Sequence, residues 1–163
     1  MDLNAADHKP RESVWDYPRP PAVERVTRHI VAVLMGQVIV DSRQQWRVLE
    51  TSHPPVYYLP PEDVAMEYLV PSDHRTFCEF KGVAHYYHLV VGDRRHSNAA
   101  WTYPDPGPSF ESIAGHLAFY AWVFDELTLD GEQVIPQPGH IYGGWITSEI
   151  EGPFKGGPGT MGW

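Results

Sequence analysis

Five side chains of this sequence suit proton transfer and lie close together along the chain: Arg47, Glu50, His53, Tyr57 and Tyr58. An imidazole titrates near neutrality, so His53 could pass a proton while Glu50 orients it or moves the proton itself, and Arg47 could hold an anionic group of a substrate. The same residues also read as scaffold, with Arg47 and Glu50 as a structural ion pair and His53 capping a turn. Thr51-Ser52-His53-Pro54-Pro55 must be a loop, because each proline lacks an amide donor and drives the residue before it to an extended conformation. A strand end, a stiffened loop and the start of a second strand would then hold a base, an acid and two phenols near one another.

Other candidates are more dispersed. Lys81, followed by Gly82, reads as a nucleophile, an anion clamp or a plain surface ammonium. Cys78 reads as a thiol activated by His74 or Lys81, or as a small buried hydrophobe. Trp101 and Tyr103, ahead of Pro104-Asp105-Pro106, could join Tyr57 and Tyr58 in an aromatic-lined cleft for a base, sugar or aryl ring, although core packing accounts for the same residues.

Metal and phosphate motifs are absent. His85 and His88 fall on opposite faces of an extended strand, and His74 with Cys78 makes only two ligands, so neither a metal nor a cofactor is expected. Phe154-Lys155-Gly156-Gly157-Pro158-Gly159-Thr160 lacks the G-x-x-x-x-G-K-[ST] pattern and reads as a surface-wrapping tail. It repeats Phe80-Lys81-Gly82 as Phe154-Lys155-Gly156, which is too short a match to infer duplication.

The elements that must position these groups are mostly strands. Ile30 to Leu34 and Val38 to Val40, joined at Met35-Gly36, predict a hairpin rich in β-branched residues. Further strands are expected over residues 45–50, 56–59, 74–80, 84–91 and 95–102, the last two meeting at Gly92-Asp93. Pro60-Pro61-Glu62-Asp63-Val64 opens a short helical turn. Residues 109–127 carry Ile113, Leu117, Tyr120 and Phe124 at helical spacing and predict either a helix or a helix followed by a strand. The result is a mainly β fold of compact, twisted antiparallel sheets with one or two short helices.

The chain has 163 residues, the size of one domain. Its 16 prolines and 14 glycines exclude a helical bundle, and 42% hydrophobic residues supply a core. Residues 1–10 read as a flexible leader and 11–163 as a single domain, with a Gly/Pro-rich extension from about residue 136. A net charge of −9 disfavours nucleic acid and membrane surfaces as partners. One cysteine removes a disulfide framework, and the start lacks an apolar signal segment, so a cytoplasmic location is expected.

Several strings then become recognisable together: Asp41-Ser42, Arg47-Val48-Leu49-Glu50-Thr51, Pro54-Pro55-Val56-Tyr57-Tyr58, Cys78-Glu79-Phe80-Lys81-Gly82, and Asn98-Ala99-Ala100-Trp101-Thr102-Tyr103-Pro104. In that order, and with Tyr142-Gly143-Gly144-Trp145 and Gly152-Pro153-Phe154-Lys155-Gly156 near the end, the chain resembles the bacterial domain-of-unknown-function family 427 from Arg11 to Trp163. The family carries a loose nucleotidyltransferase-like label, which finds no spaced Asp-x-Asp carboxylates for two metals here. The resemblance implies a compact antiparallel β structure similar to the tent-like sheets of zinc-binding methionine sulfoxide reductases. Those relatives hold zinc with paired cysteines, whereas only Cys78 is present here.

The expected function is small-molecule binding in a pocket for an anionic or ring-containing ligand, with metal-independent acid/base catalysis as its enzymatic form. Glu50, His53 and Lys81 are the candidate catalytic residues, and Arg47, Tyr57, Tyr58, Trp101 and Tyr103 the ligand-binding ones. The alternative is a non-catalytic module that binds a protein or builds a homo-oligomer, for which Trp15, Trp145 and Trp163 would line an exposed patch.

Overall fold

The computed structural model of the protein describes residues 11–163. The leader expected over residues 1–10 lies outside them. In chain order the first strands are β1 (Glu12–Ser13), β2 (Ala22–Val26), β3 (Ile30–Leu34), β4 (Gln37–Ser42), β5 (Gln45–Leu49) and β6 (Val56–Tyr58). Three long strands follow, β7 (Leu69–Cys78), β8 (Gly82–Val91) and β9 (Arg94–Thr102). The remainder are short: β10 (Ala118–Phe119), β11 (Glu126–Leu129), β12 (Glu132–Gln133), β13 (Ile135–Pro136), β14 (Trp145–Ile146) and β15 (Ile150–Glu151).

These strands make a mainly β protein of several antiparallel sheets, ordered β2-β5-β6, β12-β11-β3-β4 and β10-β9-β8-β7. β13 pairs with β14, and β1 runs parallel to β15, which ties the first described residues to the C-terminal segment. Every helical segment among the described residues is a 3-10 turn. None is long and apolar enough to cross a membrane.

Strand alternation builds the core. Ile30, Ala32 and Leu34 of β3 point inward, as do Leu127 and Leu129 of its neighbour β11. The β3–β4 hairpin closes at Met35-Gly36, where both residues take positive φ, 52° and 76°. That two-residue geometry matches the right-handed twist of the strands, and the Asp125 carboxylate accepts the Met35 N–H at 2.8 Å. A second apolar cluster, including Val48, Tyr58, Ala84, Trp101, Phe110 and Ile113, joins β5 and β6 to β8 and β9. Val48, Tyr58 and Trp101 of this cluster also line the candidate site.

Three departures from the sequence expectation have physical causes. β7 begins at Leu69 rather than near residue 74 and stops at Cys78, because Pro71 and a register shift between Pro71 and Arg75 break the alternation that marks a strand. Residues 109–127 form no α-helix: 3-10 turns at Pro108–Ile113 and Ala121–Val123 flank β10, and β11 follows. Leu117, Ala118 and Phe119 are all buried in succession, as an extended segment enclosed on both sides requires and a one-sided helix does not. Finally, the C-terminal extension does more than wrap the surface. Trp145 is 1% exposed, stacks on Tyr57 at 5.1 Å, and donates its indole N–H to the Phe119 carbonyl at 3.1 Å. Trp15, by contrast, lies near the surface, its indole N–H donated to Pro153 and its ring edge-on to Trp163.

Candidate functional site

The face that a residue of β5 or β6 occupies decides whether it reaches the site. Antiparallel pairing sets Trp46 opposite Tyr58, Arg47 opposite Tyr57 and Val48 opposite Val56, so the two strands sort their side chains into two sets. Val48, Val56 and Tyr58 share one set, and with Glu50 just beyond β5 they line a cleft of about 330 Å³. The opposite wall is aromatic, with Tyr86 on β8 paired with Trp101 on β9, and Tyr103 just after it. The C-terminal extension supplies a third side through Gln137, Tyr142, Gly143 and Lys155.

Six of the eight residues singled out from sequence line this cleft: Glu50, His53, Tyr58, Lys81, Trp101 and Tyr103. The other two, Arg47 and Tyr57, belong to the opposite face and do not line it. Arg47 Nε donates to Glu24 at 2.7 Å and Nη2 to Glu12 at 3.0 Å, while the Tyr17 hydroxyl donates to the same Glu12 carboxylate at 2.6 Å. Burial opposes the charge on Arg47, yet the Glu12 and Glu24 carboxylates outweigh it and push the guanidinium pKa further up. Tyr57 is buried beneath Trp145, and that burial raises its pKa. Arg47 thus joins an ion-pair network, and Tyr57 packs in the core.

The positive charge of the cleft comes instead from two lysines. The whole sequence holds only three, Lys9, Lys81 and Lys155, and the last two both line this cavity. The two Phe-Lys-Gly triplets thus converge on one site. Gly82 and Gly156 take positive φ of 97° and 130°, and at Gly156 a Cβ would fall 1.9 Å from the Pro138 carbonyl oxygen, so the triplet's sharp turn there excludes any side chain. The Lys81 ammonium lies 5.9 Å from the ring centres of Tyr103 and Phe110, and that of Lys155 lies 5.5 Å from Tyr142. Among the described residues neither has a carboxylate in ion-pair contact.

The loop carrying His53 is held from both ends of the chain. Thr51 Oγ1 donates to the Tyr17 carbonyl at 2.6 Å, Ser52 N–H donates to Val14, and the Ser52 carbonyl accepts the Lys155 N–H at 2.9 Å. Gln137, 1% exposed, sits between them, with its Nε2 3.1 Å from His53 Nδ1 and 2.8 Å from the Lys155 carbonyl. Tyr142 meets the His53 ring edge-on at 5.0 Å. Burial lowers the His53 pKa below its usual 6.5, Lys155, Arg19 and Lys81 add to the lowering, and Glu50 acts against it.

The aromatic side chains of the walls pack on one another. Trp101 donates its indole N–H to the Tyr58 hydroxyl at 3.3 Å and lies 4.8 Å from the Tyr120 ring. Burial drives the phenol pKa of Tyr58 and Tyr103 well up, and that of Tyr120 to about 12 with Tyr86 contributing, so all three stay neutral near pH 7. Gly143 passes against Trp101 so closely that a Cβ there would fall 2.1 Å from the indole ring. Cys78 is a free thiol on the cleft wall. No group of three or more His, Cys, Asp or Glu among the described residues is arranged to hold a metal ion.

Sequence reading missed Gln137, Tyr120, Tyr142, Gly143 and Lys155. Gln137 did carry a signal, a lone amide fenced by Pro136 and Pro138. Residues 22–130 match the family model described as domain of unknown function (DUF427), well over half of the chain, and the protein belongs to that family. Among curated proteins nothing matches. The matched region holds Glu50, His53, Tyr58, Lys81, Trp101 and Tyr103, while Gln137, Tyr142 and Lys155 lie beyond it.

Proposed function

We propose that this member of the DUF427 family binds, in the aromatic cleft, a small molecule that combines a planar ring with an anionic group, and that chemistry on the bound molecule is acid/base chemistry. The observation that carries the reading is the pair Lys81 and Lys155. An acidic chain with few lysines places two of them, without carboxylate partners among the described residues, on the wall of one aromatic cavity. A ring lies against the wall of Tyr86, Trp101 and Tyr103, an oxyanion beside the ammonium groups, and a proton-bearing group of the ligand beside Glu50. In the catalytic form Glu50 accepts that proton, and the negative charge left on the ligand is steadied by the lysines.

Benzoate, 4-hydroxybenzoate and phenyl phosphate test this as ring anions that differ in charge and in a proton-bearing hydroxyl. At least one should raise the melting temperature saturably. K81A should weaken binding by about tenfold or more, the effect of losing a hydrogen bond to a charged group, and E50Q should remove any preference for the hydroxyl. Both variants should melt close to the parent protein. A large loss of stability without a specific loss of binding would contradict the proposal.

A further inference from the structure

We propose that Gln137 is a positioning residue that holds the His53 imidazole neutral with its hydrogen on Nε2, so that His53 serves the cleft as a hydrogen-bond donor and Glu50 is left as its proton acceptor. The orientation of the Gln137 amide is fixed by two backbone groups of known polarity. Its Oε1 accepts the Gly144 N–H at 3.0 Å, and its Nε2 donates to the Lys155 carbonyl at 2.8 Å. A flipped amide would set oxygen against oxygen and N–H against N–H. The second hydrogen on Gln137 Nε2 is therefore free for His53 Nδ1, 3.1 Å away.

A ring nitrogen that faces a donor must accept, so the single hydrogen of the neutral ring falls on Nε2. Protonating Nδ1 would bring two N–H groups together inside a part-buried contact, a cost that adds to burial and to the nearby cations in keeping the ring neutral. The groups that face the ring are Glu50 from its own loop, Lys155 and Tyr142 from the C-terminal extension, Arg19 from the N-terminal segment and Lys81 from the β7–β8 turn. Nε2 makes no hydrogen bond among the described residues, and it is not one of the orphaned buried nitrogens.

The consequence deepens the ligand assignment and rests on the reading of the cleft as a binding site. Lys81, Lys155 and His53 Nε2–H present three donors, and Glu50 is the lone carboxylate among the described residues that line the cleft. The complementary ligand turns a carboxylate or phosphate end toward the donors and a proton-bearing group toward Glu50.

The test uses the full chain without ligand, labelled with nitrogen-15 at histidine, with the His53 signals identified by their loss in H53Q. The expected spectrum above about pH 7 shows a bare Nδ1 and a proton on Nε2, with a titration midpoint below the usual 6.5. In Q137E a carboxylate faces Nδ1, the proton moves there, and the midpoint rises by about one unit or more, a tenfold gain in proton affinity. A proton on Nδ1 of the parent protein, or a midpoint that a folded Q137E leaves in place, overturns the proposal. If Q137E does not fold, the parent spectrum decides, and Q137L should release the ring to a mixture of tautomers. Failure of the cleft to bind ring anions would leave these spectra unchanged, so the two readings fail separately.

Discussion

Replacing Gly143 by alanine puts a methyl group where the structure has an indole ring. The new Cβ would lie 2.1 Å from Trp101 Cη2 and 2.7 Å from Cζ2, whereas carbon atoms in ordinary contact stay about 3.5–4.0 Å apart. Something must move by roughly 1.5 Å. Trp101 is poorly able to move, since its indole N–H is donated to Tyr58 and its ring is flanked by Tyr86 and Tyr120. The C-terminal extension must therefore lift, breaking the Gly144 N–H bond to Gln137. Overpacking of this kind costs about 1–3 kcal/mol and a stranded buried hydrogen-bonding group about 1 kcal/mol more. For a chain of this length a total near 3 kcal/mol lowers the melting temperature by roughly 6–12 °C. Calorimetry on G143A reads the loss, and G157A, where a Cβ meets nothing within 4 Å, is the control. A G143A protein that melts within about 1 °C of the parent would refute the close approach and the three-sided cleft built on it.

R47M should cost about 2 kcal/mol in urea unfolding, less than a fully enclosed ion pair because Glu12 and Glu24 remain half exposed to water. It should leave ring-anion binding unchanged, since Arg47 lies on the far face of its sheet. Acid stability should depend on Glu12. Burial raises its carboxyl pKa, but the hydrogen bonds from Arg47 and Tyr17 outweigh burial and hold it below the ordinary 4.5. The unfolded chain thus takes up the proton first, so the stabilisation is present above 4.5 and disappears as pH falls through the folded value. E12Q should accordingly lose less stability than the parent protein between neutral pH and acid.

The sheet framework was legible because β3 and β4 carry β-branched runs and a turn dipeptide, which report backbone conformation locally. Residues 109–127, expected as a helix or as a helix followed by a strand, form 3-10 turns and short strands, since aromatic spacing cannot distinguish a helix from an extended segment buried on both sides. For the site, the Glu50-to-Tyr58 stretch was found as a sequence cluster, but residue type alone could not decide which face each side chain takes. The register that turns Arg47 and Tyr57 away from the cleft and Tyr58 into it is a property of pairing. Lys155 and Gln137 stayed hidden for another reason, since they reach His53 only through long-range contacts of a glycine-rich extension with no periodicity to read. The repeated Phe-Lys-Gly triplet was visible, yet its meaning lay in the convergence of two distant turns.

Lys81 and Lys155 together are proposed to make one anion site on an aromatic wall. Calorimetric titration of phenyl phosphate into the parent protein and into K81A/K155A measures it most directly. Binding should be saturable and one-to-one, and should weaken about tenfold or more in the double variant, which loses charge-assisted contacts while keeping the ring wall. Equal affinity in both proteins, or no binding in the parent, would contradict it.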